Sequence, residues 1–96
     1  MINVQHNHGN IELEGVLDHV SVASVLEQSA DWFTGDAVNI GLQGISHSNS
    51  AGLAMLLEWQ KIARQKQVSI QYHNVPEQLL IIARAYGVDQ LLSIRQ

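Results

Sequence analysis

Five histidines and a serine three residues after one of them are the side chains here that could carry chemistry. His6 and His8 flank a turn at Gly9, while His19, His47 and His73 occur singly. A zinc site normally recruits four ligands from Cys and His at short, regular spacings. The chain has no cysteine and no His-x-x-x-His pair. His47 and His73 can meet where two predicted strands end, but two ligands fall short of a site, so no metal is expected. Serine hydrolysis by His47 and Ser50 would need a Gly-x-Ser-x-Gly elbow and an acid to orient the imidazole, and the sequence offers neither. A phosphate-binding loop of the form Gly-x-x-x-x-Gly-Lys is also missing. These residues thus offer no zinc site, serine hydrolase or phosphate-loop ATPase, and no cofactor is expected.

The elements that would position such side chains follow from periodicity. Ile2-Asn3-Val4-Gln5 alternates, breaks at His8-Gly9-Asn10 and resumes as Ile11-Glu12-Leu13-Glu14, which predicts an antiparallel hairpin. Val22, Val25, Leu26, Ser29 and Phe33 fall at helical spacing within 20–33, with Asp18 or Ser21 as the cap and Thr34-Gly35-Asp36 as the stop. Ala37 to Leu42 lacks clean alternation and predicts a central strand covered on both faces, followed by a polar loop from Gly44 to Ser50. Residues 51–66 predict a helix that closes on Lys61, Arg64 and Lys66. Val68 to Tyr72 predicts a strand, Pro76 the start of a helix over 77–86, and residues 89–94 a last short helix or turn.

The resulting order, β-β-α-β-α-β-α, predicts a small α/β fold. Its mixed four-stranded sheet would begin with the hairpin, continue in parallel and be covered by three to four helices. Parallel crossovers send the carboxyl ends of strands two to four to one edge, where open α/β sheets place their sites. That edge comprises Gly15 to Asp18, the loop Ser46 to Ser50, and His73 to Val75.

Ninety-six residues at 10.6 kDa, 46% of them hydrophobic, suit a single domain over 1–96 with one core. The formal charge of −4 argues against nucleic acid, which requires a basic surface. Residues 1–60 carry seven acids and no Lys or Arg, whereas residues 61–96 carry five cations against two acids. The chain is thus split into halves of −7 and +3. No apolar run approaches a membrane span and the first ten residues lack a basic stretch, so direct membrane insertion is not expected and the cytoplasm is the expected compartment.

Asn49-Ser50-Ala51-Gly52-Leu53-Ala54-Met55-Leu56-Leu57, after the strand Val38 to Leu42, resembles the signature of the STAS domain family: a strand, then Asp-Ser/Thr-x-Gly-Leu, then an apolar helix. Leu13-Glu14-Gly15-Val16-Leu17-Asp18 is similar to the family's Gly-x-Leu-Asp entry into its first helix. Within the family, the short single-domain form and the Ala-Gly-Leu-Ala-Met-Leu-Leu helix look most like the MlaB-type members, soluble subunits of a phospholipid-transporting ABC system of Gram-negative bacteria. The resemblance implies a non-enzymatic subunit that binds and stabilises or regulates the ATPase subunit. It would sit at the inner membrane through that partner, in a complex with a permease and a periplasmic lipid-binding protein. The alternative within the family is an anti-sigma factor antagonist switched by phosphorylation at Ser50. There the family's preceding Asp supports the acceptor, and here that position is Asn49. A small-ligand or nucleotide sensor is a third reading.

The residues expected to touch a partner are Ser48, Asn49 and Ser50 in the loop, Leu26 on the first helix and Met55 on the second. Ser50, at a helix start, would also serve as its cap, and Asn49 competes for that role. Gly52 in the first helical turn implies close approach of another backbone, from the protein itself or from a partner. The apolar arc of the second helix, from Leu53, Leu56 and Leu57 round to Met55, Trp59 and Ile62, exceeds one face. In the third helix, Leu79, Ile82, Ala83 and Tyr86 make the predicted core stripe, which leaves Leu80 and Ile81 outside. Because the acidic first half carries most of this edge, a basic partner surface is favoured.

Overall fold

The computed structural model describes residues 2–95. Strands β1 (Ile2–Asn7) and β2 (Asn10–Leu17) form the expected antiparallel hairpin, turning on His8 at φ 49° and Gly9 at φ 84°. Helix α1 (His19–Gln28) follows and ends in a 3-10 turn, Ser29–Asp31. Strand β3 (Ala37–Ser48) leads into α2 (Ser50–Lys66), then β4 (Ser69–His73), α3 (Glu77–Ala85), a 3-10 turn at Asp89–Leu91 and a two-residue β5 (Ile94–Arg95). The sheet therefore has five strands, one more than the sequence predicts, because the tail adds β5 parallel to β4.

The strands lie in chain order, β1-β2-β3-β4-β5. Crossovers of one hand that always step in the same direction put their helices on the same face. Burial alternates accordingly. Ile11, Leu13, Leu17, Val38, Ile40, Ile70 and Tyr72 point into the core, while Asn3, Gln5, Glu12, Glu14 and Gln43 lie on an open polar face. The expectation that β3 is covered on both faces is thereby corrected. Its irregular pattern comes instead from register shifts against β2, between Glu12 and Glu14 and between Gly15 and Val16, where β3 contributes the extra residues. Gly41, whose added Cβ would collide with the Glu12 carboxylate, leaves room for that side chain to lie across the strand.

The polar stretch from Gly44 to Ser48, expected as loop, is also strand. It stays paired with β2 as far as Leu17↔Ser48, whereas β4 leaves β3 at Gly41↔His73. The missing neighbour is replaced by α3, whose Gln78 Oε1 accepts from the Ser48 N–H at 3.1 Å. Polarity misled the prediction because only one face of this segment meets the core: Ile45 and Ser48 are buried and Ser46 and His47 are exposed.

Helix α2 fills the centre of the helical layer. Met55, Leu56 and Trp59 are fully buried, and the wide apolar arc is explained by packing on the sheet, on α1 and on α3. Tyr72 lies beneath it, its hydroxyl donating to the Leu56 carbonyl at 2.6 Å, and burial pushes its phenol well above the usual range. On α3 the predicted stripe is rotated. Leu79, Leu80 and Ala83 are buried, Ile82 is half-buried, and Ile81 and Tyr86 are exposed. The helix ends at Ala85, with Tyr86 at its C-cap and Gly87 at φ 70° beyond. This releases Tyr86 from the packing face.

Candidate functional site

Two helices begin side by side where β2 and β3 end, because Leu17 and Ser48 are register partners and the next residue of each strand is a helix cap. The Asn49 N–H donates to the Leu17 carbonyl at 3.3 Å and ties the two exits together. At the start of α1, the Ser21 N–H donates to Asp18 Oδ1 and the Asp18 N–H donates to Ser21 Oγ, both at 2.9 Å. This reciprocal capping box uses both candidates that the sequence proposed. Ser21 Oγ then donates to the Val16 carbonyl at 2.7 Å, which fixes the box to the strand.

The Ser21 N–H, the largest influence on Asp18, holds that carboxyl below its ordinary value. A depressed carboxyl contributes stability above the unfolded value of about 3.9 and loses it as pH falls through the lower folded value. Asp18→Asn should therefore flatten the acid limb of stability against pH. Urea midpoints taken from pH 7 down to pH 2 on both proteins check this, and parallel curves would contradict it.

Helix α2 is capped by Asn49, not by Ser50: Asn49 Oδ1 accepts from the Ala51 N–H at 2.8 Å, and Ser50 is the first helical residue. Asn and Ser are about equal as caps, so chain geometry decides between them. Asn49 has the extended backbone that a cap requires, φ −123° and ψ −167°. Relieved of that task, the exposed Ser50 hydroxyl makes no hydrogen bond among the described residues.

Leu26 and Ser50 are brought together. With His19, Val22, Ala23, Ala51 and Ala54 they line a shallow groove of about 380 Å³ between α1 and α2. Its wall is mainly apolar and small. Spacing indicated Leu26 and Ser50, but it did not single out the alanines, buried Ala51 and exposed Ala23 and Ala54, because a side chain of one carbon carries little periodic signal of its own.

Two expected contact residues are corrected. Met55 is fully buried, one turn from Gly52 on the side of α2 that packs inward, so it belongs to the core. Ser48 is buried as well, its hydroxyl donating to the Asn49 carbonyl at 3.2 Å, and it braces the turn from within. Gly52 is closely approached by the protein's own side chains, and not by the second backbone that the sequence implied. An added Cβ would strike Ser48 Oγ and lie 3.2 Å from Leu17 and 3.3 Å from Leu79. Gly52→Ala should cost about 1–2 kcal/mol, the overpacking penalty less the gain in helix propensity. Adding Ser48→Ala should return part of that loss in a double-mutant cycle of urea midpoints, and strict additivity would refute the contact.

The histidines do not converge. His73 lies opposite Gly41 and His47 six residues further along β3, a separation of about 20 Å at strand rise. His73 Nε2 is instead 3.0 Å from Asn39 Oδ1. Among the described residues no group of three or more His, Cys, Asp or Glu is placed to hold a metal. Strand order runs in one direction across the sheet, so among the described residues there is no reversal point of the kind at which open α/β sheets form their crevice. Among the described residues, no helix is long and apolar enough to cross a membrane.

Comparison with solved structures shows the same fold in the anti-sigma factor antagonist SpoIIAA, solved in its unphosphorylated form. The TM-score is 0.75 at 11% identity, over 100% of this chain and 89% of that one. A structure described as Mglu matches with a TM-score of 0.61 at 20% identity, over 78% of this chain and 19% of that chain. A comparison with curated proteins finds no match. The family model described as "Mlab, STAS domain" matches residues 1–93. With the capped strand-to-helix turn at Asn49-Ser50 and the one-sided five-stranded sheet, that match over nearly the whole length identifies the chain as a member of the MlaB-type STAS domain family.

Proposed function

We propose that this protein is a non-catalytic accessory subunit that binds, and stabilises or regulates, the ATPase subunit of a phospholipid-transporting ABC system. The observation that carries the reading is the groove between α1 and α2, where Leu26 and the unbonded Ser50 hydroxyl share one accessible, largely apolar surface. A ligand that binds only the folded or assembled ATPase stabilises that state by mass action. This role needs a rigid docking surface and no reactive group, which matches a chain without a catalytic constellation in its sequence. ATP and lipid would be handled by the ATPase, the permease and a periplasmic lipid-binding protein, and this subunit would work at the cytoplasmic side. Outer-membrane lipid asymmetry would be the process served.

Co-expression with the ATPase subunit of such a transporter tests the reading. Stable co-purification and a raised melting temperature of the ATPase are expected, and failure of the intact chain to bind any such subunit would sink it.

The likeness in fold to SpoIIAA supports a second reading, an anti-sigma factor antagonist phosphorylated at Ser50. The exposed hydroxyl in the first turn of α2 suits an acceptor, since a phosphate there would meet a favourable helix dipole. Asn49 in place of the supporting Asp weighs against it. Intact-mass and fragment spectra of the protein from its own cells distinguish the two, because only the second reading requires a phosphorylated Ser50.

A further inference from the structure

Further along α2 than the α1 groove, Leu57, Lys61, Arg64 and Gln65 form one wall of a second groove, of about 300 Å³, with Leu91 on the other. The groove is held open by a two-point clamp. Gln60 Nε2 donates to Ser93 Oγ at 2.8 Å, and Gln60 Oε1 accepts from the Ser93 N–H at 3.2 Å. The Ser93 carbonyl in turn accepts from the Tyr72 N–H at 2.9 Å, so the segment carrying Leu91 is fixed to both the helix and the sheet.

Internal structure leaves this surface unexplained. Helix-dipole matching accounts for Arg64 and Lys66 in the last turn of α2, but not for Lys61 a turn earlier. Among the described residues neither Lys61 nor Arg64 has an ion-pair partner. Leu91 is 54% exposed beside them, and among the described residues no carboxylate lines the groove. The lining thus combines two cations with two leucines, in a chain whose first sixty residues contain no Lys or Arg.

We propose that this groove is a second docking site, for an acidic peptide segment of a protein partner that seats one apolar side chain between Leu57 and Leu91 and sets carboxylates against Lys61 and Arg64. A peptide suits it better than an anionic membrane. The site is a cleft of side-chain dimensions rather than a flat face, and the net charge of −4 repels an extended anionic surface. The proposal is independent of the ATPase reading, whose groove shares no lining residue with this one.

A fluorescein-labelled twelve-residue peptide built from the repeat Glu-Leu-Leu-Glu serves as the probe, read by fluorescence anisotropy and by amide shifts of the labelled full-length protein. Saturable binding is expected, with shifts confined to 57–65 and 89–93. Affinity should fall at least tenfold for the double variant Lys61→Glu, Arg64→Glu and severalfold for Leu91→Ser, and should be unchanged for Ser50→Ala. Charge reversal on exposed helical positions leaves the core intact, which melting by circular dichroism verifies. No saturable binding, shifts centred on the α1 groove, or indifference to charge reversal would overturn the proposal. So would sedimentation with phosphatidylcholine–phosphatidylglycerol vesicles that the peptide fails to compete, which would assign the surface to membrane. A dimer abolished by the double variant would assign it to a second copy and overturn the proposal equally.

Discussion

Trp59→Ala should destabilise the protein by about 3–5 kcal/mol, the cost of truncating a buried aromatic, and leave it largely unfolded in moderate urea. Trp59 is fully buried, and its indole stacks on Trp32 at 5.4 Å with the rings tilted by 44°. Its Nε1 donates to Ser29 Oγ at 2.9 Å, and that hydroxyl donates onward to the Leu26 carbonyl at 2.7 Å. One residue thus joins α2 to the end of α1 through packing and through a relay with no polar atom left over. Among the described residues no buried side-chain nitrogen or oxygen lacks a partner. Alanine would open a cavity and strand the Ser29 hydroxyl's acceptor site, and a domain of this size holds only about 5–10 kcal/mol in total. Trp59→Phe keeps most of the apolar volume and should lose less, about 1–3 kcal/mol. Urea unfolding followed by circular dichroism at 222 nm gives both values, and a loss below 1 kcal/mol for alanine would contradict the packing described. Because the relay ends on Leu26, the same variant should loosen the wall of the α1 groove.

Ala54→Arg should weaken binding of the ATPase subunit by at least about 30-fold, which corresponds to roughly 2 kcal/mol. Ala54 is exposed and lies in the floor of the α1/α2 groove beside Ser50 and Leu26. Arginine has nearly the helix propensity of alanine, so the fold should be unaffected. The new side chain fills a shallow groove that must be empty for a partner to seat. It also puts a cation on a surface expected to meet a basic one, and like charges across an interface cost several kcal/mol. Leu26→Ala should have a smaller effect, about 1–2 kcal/mol, since it removes an anchor without obstructing the groove. Calorimetric titration of the purified pair reads both. Full affinity in Ala54→Arg, with an unchanged melting temperature, would remove the groove from the proposed interface. The Lys61 and Arg64 variants serve as the complementary control, because they leave this groove untouched.

Element order was legible in the sequence because each element carries a local signal. Alternation marks the hairpin, the Asp18 and Ser21 pair marks the start of α1, and the cationic end of α2 matches its dipole. The strand-to-helix turn at Asn49 and Ser50 was legible for the same reason, and it carried the family with it. The length of β3 was not. Pairing of residues 44–48 depends on β2, which is some thirty residues earlier in the chain, and on Gln78, thirty residues later. Composition registers neither. The rotation of the α3 stripe escaped for a related reason: Leu79 through Ile82 is apolar throughout, so periodicity cannot say which two of the four face inward.

For the docking residues the division is sharper. By itself the sequence determined that a hydroxyl at the head of an apolar helix, preceded by an amide in place of the family's acid, sits at the carboxyl edge of a parallel sheet. Leu26 belonged to the same reading. Tertiary structure alone decided that Asn49 is the cap and Ser50 is free, that Met55 and Ser48 are buried, and that three alanines complete the groove. It also turned the charge split of the chain into geometry, with one groove flanked by the acidic half and a second carrying Lys61 and Arg64. The physical reason is that burial belongs to the packed layer and not to the residue. A helix with apolar side chains around most of its circumference can present any of them, and only the sheet beneath it and the helices beside it select which remain outside.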